Sequence, residues 1–285
     1  MGEVIRNQSA KPAEAASERG PLRVAVMAAA SPSGIETFRS LSQWDAIELL
    51  LAIDQKEVGK TMRSLAGGRA SNIKIEEKLG AALDREKCDI LVDFSHSSAA
   101  LQHGISALKR GIAPILNSSL SGPELRELAA EVRMSETPAL VVPHLSILQV
   151  LTLQFCNTAA QWLPDFEVVD FHSDHRLSGL SPFAKAGADA MALGWEKRNL
   201  LATGGVDYGK TRTWEDVRHH SVRLKGTPAY QEFHFGGPGE TACIKIQPSD
   251  SESIIDGLKL AIMSVLNLKG VVVGLDKLIF SQPTK

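Results

Sequence analysis

Leu22 to Ala29 reads L-R-V-A-V-M-A-A, and the next five residues, Ala30-Ser31-Pro32-Ser33-Gly34, form a short turn into a helix from about Ile35. An apolar run of strand length that turns at once into a helix opens a βα unit. The same texture then recurs. Ala46 to Ile53 is a second apolar strand ending at Asp54, and a Gly-containing loop runs from about Gln55 to Ile73. Ile75 to Glu86 has a helical pattern, and Asp89 to Phe94 (D-I-L-V-D-F) is a third strand. A helix over Ser97 to Arg110 closes with Gly111 as its C-cap. Ala113 to Leu116, a helix over Pro123 to Met134, and Ala139 to Val142 complete the series. Uniformly apolar strands alternating with helices need a parallel sheet covered on both faces. The fold class is therefore α/β, beginning with a Rossmann-like, doubly wound sheet.

The texture changes further on. Ser146 caps a long helix to about Trp162, and Phe166 to Val169 is again strand-like. Ser221 to Lys225, Ala229 to Phe235 and Thr241 to Gln247 read as successive alternating strands, with Gly236-Gly237-Pro238-Gly239 as one turn. They predict a second α/β domain with an open mixed or antiparallel sheet. Ser251 to Leu266 is an amphipathic helix, and Val271 to Ile279 returns to the first domain. The expected organisation is a polar disordered tail over 1–21, a nucleotide-binding-type domain over 22–146 and 250–285, and a substrate and oligomerisation domain over 147–249.

Composition narrows the function classes. Hydrophobic residues are 44% and charged residues 22%, with a formal net charge of −2. No basic footprint for nucleic acid or an anionic membrane is present, and no apolar run reaches transmembrane length. The N-terminal stretch lacks the apolar core of a secretory signal, so a cytoplasmic location is expected. Cys88, Cys156 and Cys243 are few, far apart and odd in number. Neither a disulfide framework nor a zinc site is expected from them. Cys156 lies in an apolar helical run and reads as packing.

Candidate chemistry gathers where strands end. A dinucleotide-binding turn needs glycines so that backbone can approach the pyrophosphate. Here Ser31 and Gly34 are the candidates, with Pro32 removing one N–H. The plain alternative is a tight βα turn without a ligand. Asp54 suits ribose hydroxyls and opposes a 2′-phosphate, or is simply a solvated loop acid. Phe94, in Asp93-Phe94-Ser95-His96, and Asn117 with Ser118 end two further strands on the same edge. His96 also suits a plain helix cap, and Asn117-Ser118-Ser119 a plain turn. His144 follows the fifth strand.

Asp170 to Pro182 reads D-F-H-S-D-H-R-L-S-G-L-S-P. Strand, cationic cluster and helix start make the layout of a site for an anionic small molecule. His172 and His175 can move protons near neutral pH, and Arg176 can bind an anion but cannot release its proton. The plain alternative is a strand end with Asp174 pairing Arg176.

Four segments resemble the 4-hydroxy-tetrahydrodipicolinate (dihydrodipicolinate) reductase family, in its actinobacterial flavour. They are D-I-L-V-D-F-S-H (Asp89–His96), A-L-V-V-P-H (Ala139–His144), F-E-V-V-D-F-H-S-D-H-R (Phe166–Arg176) and V-R-L-K-G-T-P-A-Y-Q-E-F-H-F-G-G-P-G-E-T (Val222–Thr241). The resemblance runs from about Leu22 to Ile279. It implies a Rossmann domain, an open sheet that builds a homotetramer, NAD(H) or NADP(H) as cofactor, and a small-molecule substrate. The motifs themselves depart from the family. Of its G-x-x-G-x-x-G turn only Gly34 remains. Its G-T-T-G becomes Asn117-Ser118-Ser119-Leu120, and its P-N-F becomes Pro143-His144-Leu145. Its H-H-x-H-K becomes His172-Ser173-Asp174-His175-Arg176, so the proton-donating lysine is Arg176. Its D-A-P-S-G-T becomes Ser178-Gly179-Leu180-Ser181-Pro182-Phe183, which implies a more apolar pocket.

Three functions fit this pattern. The first is an NAD(P)H-dependent reductase of a C=N or conjugated C=C bond in a larger, more apolar molecule of specialised metabolism. Its acid–base and anion-holding residues would be His172, His175 and Arg176, and its cofactor would meet Ser31, Gly34, Asp54, Phe94, Asn117 and Ser118. The second is a cofactor-independent cyclase, isomerase or lyase using His144, His172 or His175. The third is a non-catalytic assembly subunit.

Overall fold

The structure is a computed structural model that describes residues 20–67, 72–163, 165–173, 179–202 and 214–280. The chain divides into two compact units. One comprises residues 1–143 and 254–285, and the other is His144–Ser253.

In the first unit, β1 (Leu22–Met27) leads into α1 (Pro32–Leu41) and β2 (Ile47–Ile53). A short α2 (Met62–Ala66), a two-residue β3 (Ile75–Glu76) and α3 (Leu79–Arg85) follow. Then come β4 (Ile90–Asp93), α4 (Ser97–Leu108), β5 (Ala113–Leu116), α5 (Gly122–Ser135) and β6 (Ala139–Val141). The sheet order is β11-β6-β5-β4-β1-β2-β3, where β11 is Val271–Val273, and every pairing in it is parallel. The central strands β4 and β5 are buried along their whole length, as helices on both faces require. The α/β, Rossmann-like expectation holds.

Two local expectations change. Ile75-Glu76 is strand, not the start of a helix, because Ile75 pairs with Ala52 and is buried at the sheet edge. Tertiary pairing outweighs the helical pattern of the residues that follow. The loop before it contains α2, capped by the Thr61 hydroxyl, which accepts from the Ser64 N–H.

The turn after β1 is tighter than a helix start at Ile35 would make it. Ser31 is the N-cap of α1, and Pro32 occupies its first turn. Ala28 carries φ of 58°, in the left-handed region. Its Cβ crowds the neighbouring carbonyl there, at roughly 1–2 kcal/mol, while glycine in its place would add roughly 0.5–1 kcal/mol of chain entropy to be lost on folding. Ala28→Gly is therefore expected to stabilise the chain by up to about 1 kcal/mol, seen as a higher urea midpoint. A lower midpoint would show that Ala28 carries no such cost.

The second unit begins with α6 (Ile147–Ala159), capped by Ser146. It continues through β7 (Asp165–His172), α7 (Pro182–Ala202), β8 (Arg218–Arg223), β9 (Tyr230–Gly237) and β10 (Glu240–Ile246). The sheet order is β10-β9-β7-β8. The three later strands are thus not a simple run of antiparallel neighbours. β8 pairs parallel with β7, while β9 pairs antiparallel on its other side. A parallel pair needs a long crossover, and α7 lies within it. The sheet is mixed.

Burial alternates along β7 and β9. Phe166, Val168, Phe233 and Phe235 form a core with Phe183, Ala184, Ala188 and Met191 of α7. Glu167, Val169, Glu232 and His234 belong to the other phase of the pleat. The chain re-enters the first unit as α8 (Ile255–Val265), which buries Ile255, Leu258, Ala261, Ile262 and Val265. β11 and α9 (Asp276–Phe280) end the described chain.

Candidate active site

Because the first sheet is parallel, the C-terminal ends of its strands share one edge. That edge carries Ser31, Asp54, Phe94, Asn117 and Ser118 at the ends of β1, β2, β4 and β5. Ligands of doubly wound sheets bind on this side. Gly34 sits in the first turn of α1 and lets the helix close onto β1. A Cβ on Gly34 would lie 2.5 Å from the Ala28 carbonyl oxygen and 2.7 Å from the Ala29 Cα.

The turn satisfies most of its own donors. The Ser31 N–H donates to the Ala28 carbonyl at 3.0 Å, and the Gly34 N–H to Ser31 Oγ at 3.1 Å. Pro32 has no N–H. The Asp54 carboxylate accepts from the Ala30 N–H and the Lys56 N–H, each at 2.9 Å. Ser33 supplies the turn's one N–H without an internal acceptor among the described residues. The edge therefore presents an acid, Asp54, after β2 and a helix start after β1. Fewer N–H groups are left open there than in a glycine-rich turn.

Other candidates on the edge are also engaged. The Asn117 side-chain amide donates to the Val142 carbonyl at 2.8 Å, tying the ends of β5 and β6 together. His96 stands at the N-cap of α4 without a side-chain capping bond. Sequence reasoning missed the partner of Asp93. This buried carboxylate accepts from the Ser95 N–H at 2.7 Å and lies 2.8 Å from His103 Nδ1.

In the second unit the organising group is Asp170, which is fully buried. Asp170 and His172 are two apart on β7, so both face inward. His172 Nε2 lies 2.7 Å from Asp170 Oδ2. The same carboxylate accepts from the Ser181 N–H, the Ser181 hydroxyl at 3.0 Å and the Gln231 side-chain amide at 3.0 Å. Ser181 Oγ in turn accepts from the Ala184 N–H at 3.3 Å, in the first turn of α7.

The start of α7 at Ser181-Pro182 is thus occupied from within the chain. The protein's own carboxylate already fills it, and Pro182 offers no N–H. Gln231 also went unnoticed in the sequence, though a signal existed. It is the one polar residue in the inward phase of Gln231-Glu232-Phe233-His234-Phe235.

His144 stands beside this cluster. Its ring meets Phe183 edge-on at 5.6 Å, and Phe183 meets Phe233 at 5.5 Å. Burial pushes the His144 pKa below the usual imidazole value, against a weaker opposing hydrogen bond to Gln149. The ring is therefore neutral at pH 7. Phe183 is 6% exposed, so it is spent on core packing rather than on lining an open pocket. Contacts run from His144 through Phe183 to the first turn of α7, and from Ser181 through Asp170 to His172. His175 and Arg176 lie outside the described residues. Cys156 is fully buried, and burial pushes its thiol up to about 12, as a packing role requires.

Two family models cover most of the chain. The one for "Dihydrodipicolinate reductase, N-terminus" matches residues 22–142, and the one for "Dihydrodipicolinate reductase, C-terminus" matches 149–279. A 4-hydroxy-tetrahydrodipicolinate reductase of Moorella thermoacetica is 33% identical over 262 residues, covering 90% of this chain and 98% of its own. One of Halalkalibacterium halodurans is 29% identical, with 90% and 99% covered. Among solved structures, a dipicolinate-bound dihydrodipicolinate reductase from Paenisporosarcina sp. TG-14 aligns with a TM-score of 0.72 at 23% identity, over 90% of this chain and 99% of that one. At that identity the likeness is one of fold.

Proposed function

The chain belongs to the dihydrodipicolinate reductase family, and on that premise we propose that it is an NAD(P)H-dependent reductase of a C=N or conjugated C=C bond. Its substrate would be larger and more apolar than the family's, in specialised metabolism rather than the housekeeping lysine pathway. The observation that carries this reading is the α7 start. There the Ser181 N–H and hydroxyl already donate to Asp170, so this helix start has little left with which to grip a small dicarboxylate.

A bound dinucleotide would supply the hydride. Ser33 and the α1 start would face its phosphates, and Asp54 its ribose. Phe94, Asn117 and Ser118 would border the nicotinamide end. The Asp170 bond fixes His172 through Nε2 and leaves Nδ1 as the nitrogen for proton exchange. Either His172 or His175 would deliver the proton, and Arg176 would hold an acid group without releasing one.

Titration of the full chain with NADH and NADPH, followed calorimetrically, tests the cofactor role. NADH is expected to bind more tightly than NADPH, because Asp54 opposes a 2′-phosphate. Pro32→Ala returns one N–H to the cradle and is expected to tighten binding by about tenfold, the worth of one charged hydrogen bond. Absence of binding by either dinucleotide at millimolar concentration would sink the reductase reading. The self-satisfied turn around Ser31 and Asp54 favours one alternative in that event, a cofactor-independent cyclase, isomerase or lyase on the same scaffold.

A further inference from the structure

The outward face of the mixed sheet carries a second cluster, separate from Asp170 and its partners. Glu232 and His234 are two apart on β9, and Cys243 on β10 is registered opposite His234. All three therefore share the face opposite Gln231 and Phe233. His234 Nε2 lies 3.1 Å from Glu232 Oε2 and 3.8 Å from Cys243 Sγ. One ligand atom from each residue falls within 4.8 Å of the other two. A tetrahedral zinc ion, with bonds of about 2.0–2.3 Å, holds its ligand atoms about 3.3–3.7 Å apart. The observed separations bracket that spacing, so small side-chain rotations would complete it.

We propose that Glu232, His234 and Cys243 form a binding site for a divalent transition cation of the zinc class, with the fourth coordination position open. A thiolate, an imidazole and a carboxylate together suit zinc and disfavour magnesium and calcium, which take oxygen ligands.

The surroundings support the assignment. Lys245 is registered opposite Glu232 and would be its natural ion-pair partner, yet its ammonium sits 3.7 Å over the Tyr230 ring. Glu167, registered opposite His234 on β7, brings further negative charge and is itself held by Arg218 at 2.8 Å and His220 at 3.0 Å. A shallow depression lined by Glu167, His234, Gly236, Thr241 and Cys243 borders two of the three ligands. Cysteine spacing alone gave no hint of this site, because its other two ligands come from the neighbouring strand. A bound ion would pin edge strand β10 to β9.

The test uses the full chain stripped with a chelator. Zinc is titrated calorimetrically, and cobalt(II) serves as the optical probe. One zinc per chain is expected, with a Kd near or below about 1 µM, roughly −8 kcal/mol. Cobalt should give a thiolate-to-metal charge-transfer band in the near ultraviolet. Cys243→Ser should abolish that band, and Cys243→Ser and His234→Gln should each weaken zinc binding by about 30-fold or more. Zinc should also raise the Tm of the parent chain and not that of Cys243→Ser. Binding weaker than about 100 µM, or the same affinity in both variants as in the parent, would overturn the assignment.

Discussion

Asp170→Asn is expected to lower the unfolding free energy by about 2–4 kcal/mol, the cost of leaving one or two buried donors without an acceptor. Four donors converge on this carboxylate: the Ser181 N–H, the Ser181 hydroxyl, the Gln231 amide and His172. An asparagine amide keeps one oxygen and turns an NH2 toward donors that have nothing to offer it. At least one buried donor then loses its acceptor, at about 1–3 kcal/mol, and two donors face each other. The change also releases His172 from the bond that orients it and loosens the first turn of α7. Urea unfolding reads the stability. Turnover on the true substrate should fall further than the loss of folded protein explains. A variant within about 1 kcal/mol of the parent would show that the network is not what holds this turn.

Gly34→Ala should be the second large loss, in the first unit. The added Cβ would sit 2.5 Å from the Ala28 oxygen and 2.7 Å from both the Ala29 Cα and the Ala29 oxygen. All three neighbours are backbone, so no side chain can swing aside and α1 must lift off β1. Overpacking of this kind costs about 1–3 kcal/mol or more. The helix-propensity gain of alanine over glycine offsets roughly 1 kcal/mol of it. Because every clash is with backbone, the cost lies at the upper end of that range, and a net loss of about 2 kcal/mol is expected by urea unfolding, together with loss of dinucleotide binding, since α1 would no longer present its start at the sheet edge. Retention of both would mean that the β1–α1 contact is looser than its geometry.

The fold was legible because its signals are local. Apolar runs such as Asp89–Phe94 and Ala113–Leu116 can be read without knowing their neighbours, and the order of strands and helices then limits the topology. The misread segments are those that tertiary pairing decides. Ile75 is strand only because Ala52 lies beside it. β8 joins β7 rather than β9 only because the α7 crossover carries it to the other side.

The site follows the same division. Asp54, Asn117 and His172 stand out as residue types at strand ends, but what they bind is set across the fold. Ala30 occupies Asp54, Val142 occupies Asn117, and Asp170 occupies His172. Ser181 and Gln231 are 50 residues apart and meet on one carboxylate. No local pattern contains that meeting.

The first unit is built from two stretches of chain, with the whole of His144–Ser253 lying between them in sequence. On a ribosome this fixes an order of events. β1 to β6 emerge first, but the outer edge of β6 stays bare until Val271–Val273 arrives to pair with Ala139–Val141. The apolar face of α8 arrives just before it. The nascent first unit therefore carries an uncapped parallel edge while the second unit is completed, and bare edges invite pairing with other chains. Newly made protein should be most prone to aggregation, and most in need of a chaperone, in the interval before residue 273 leaves the exit tunnel.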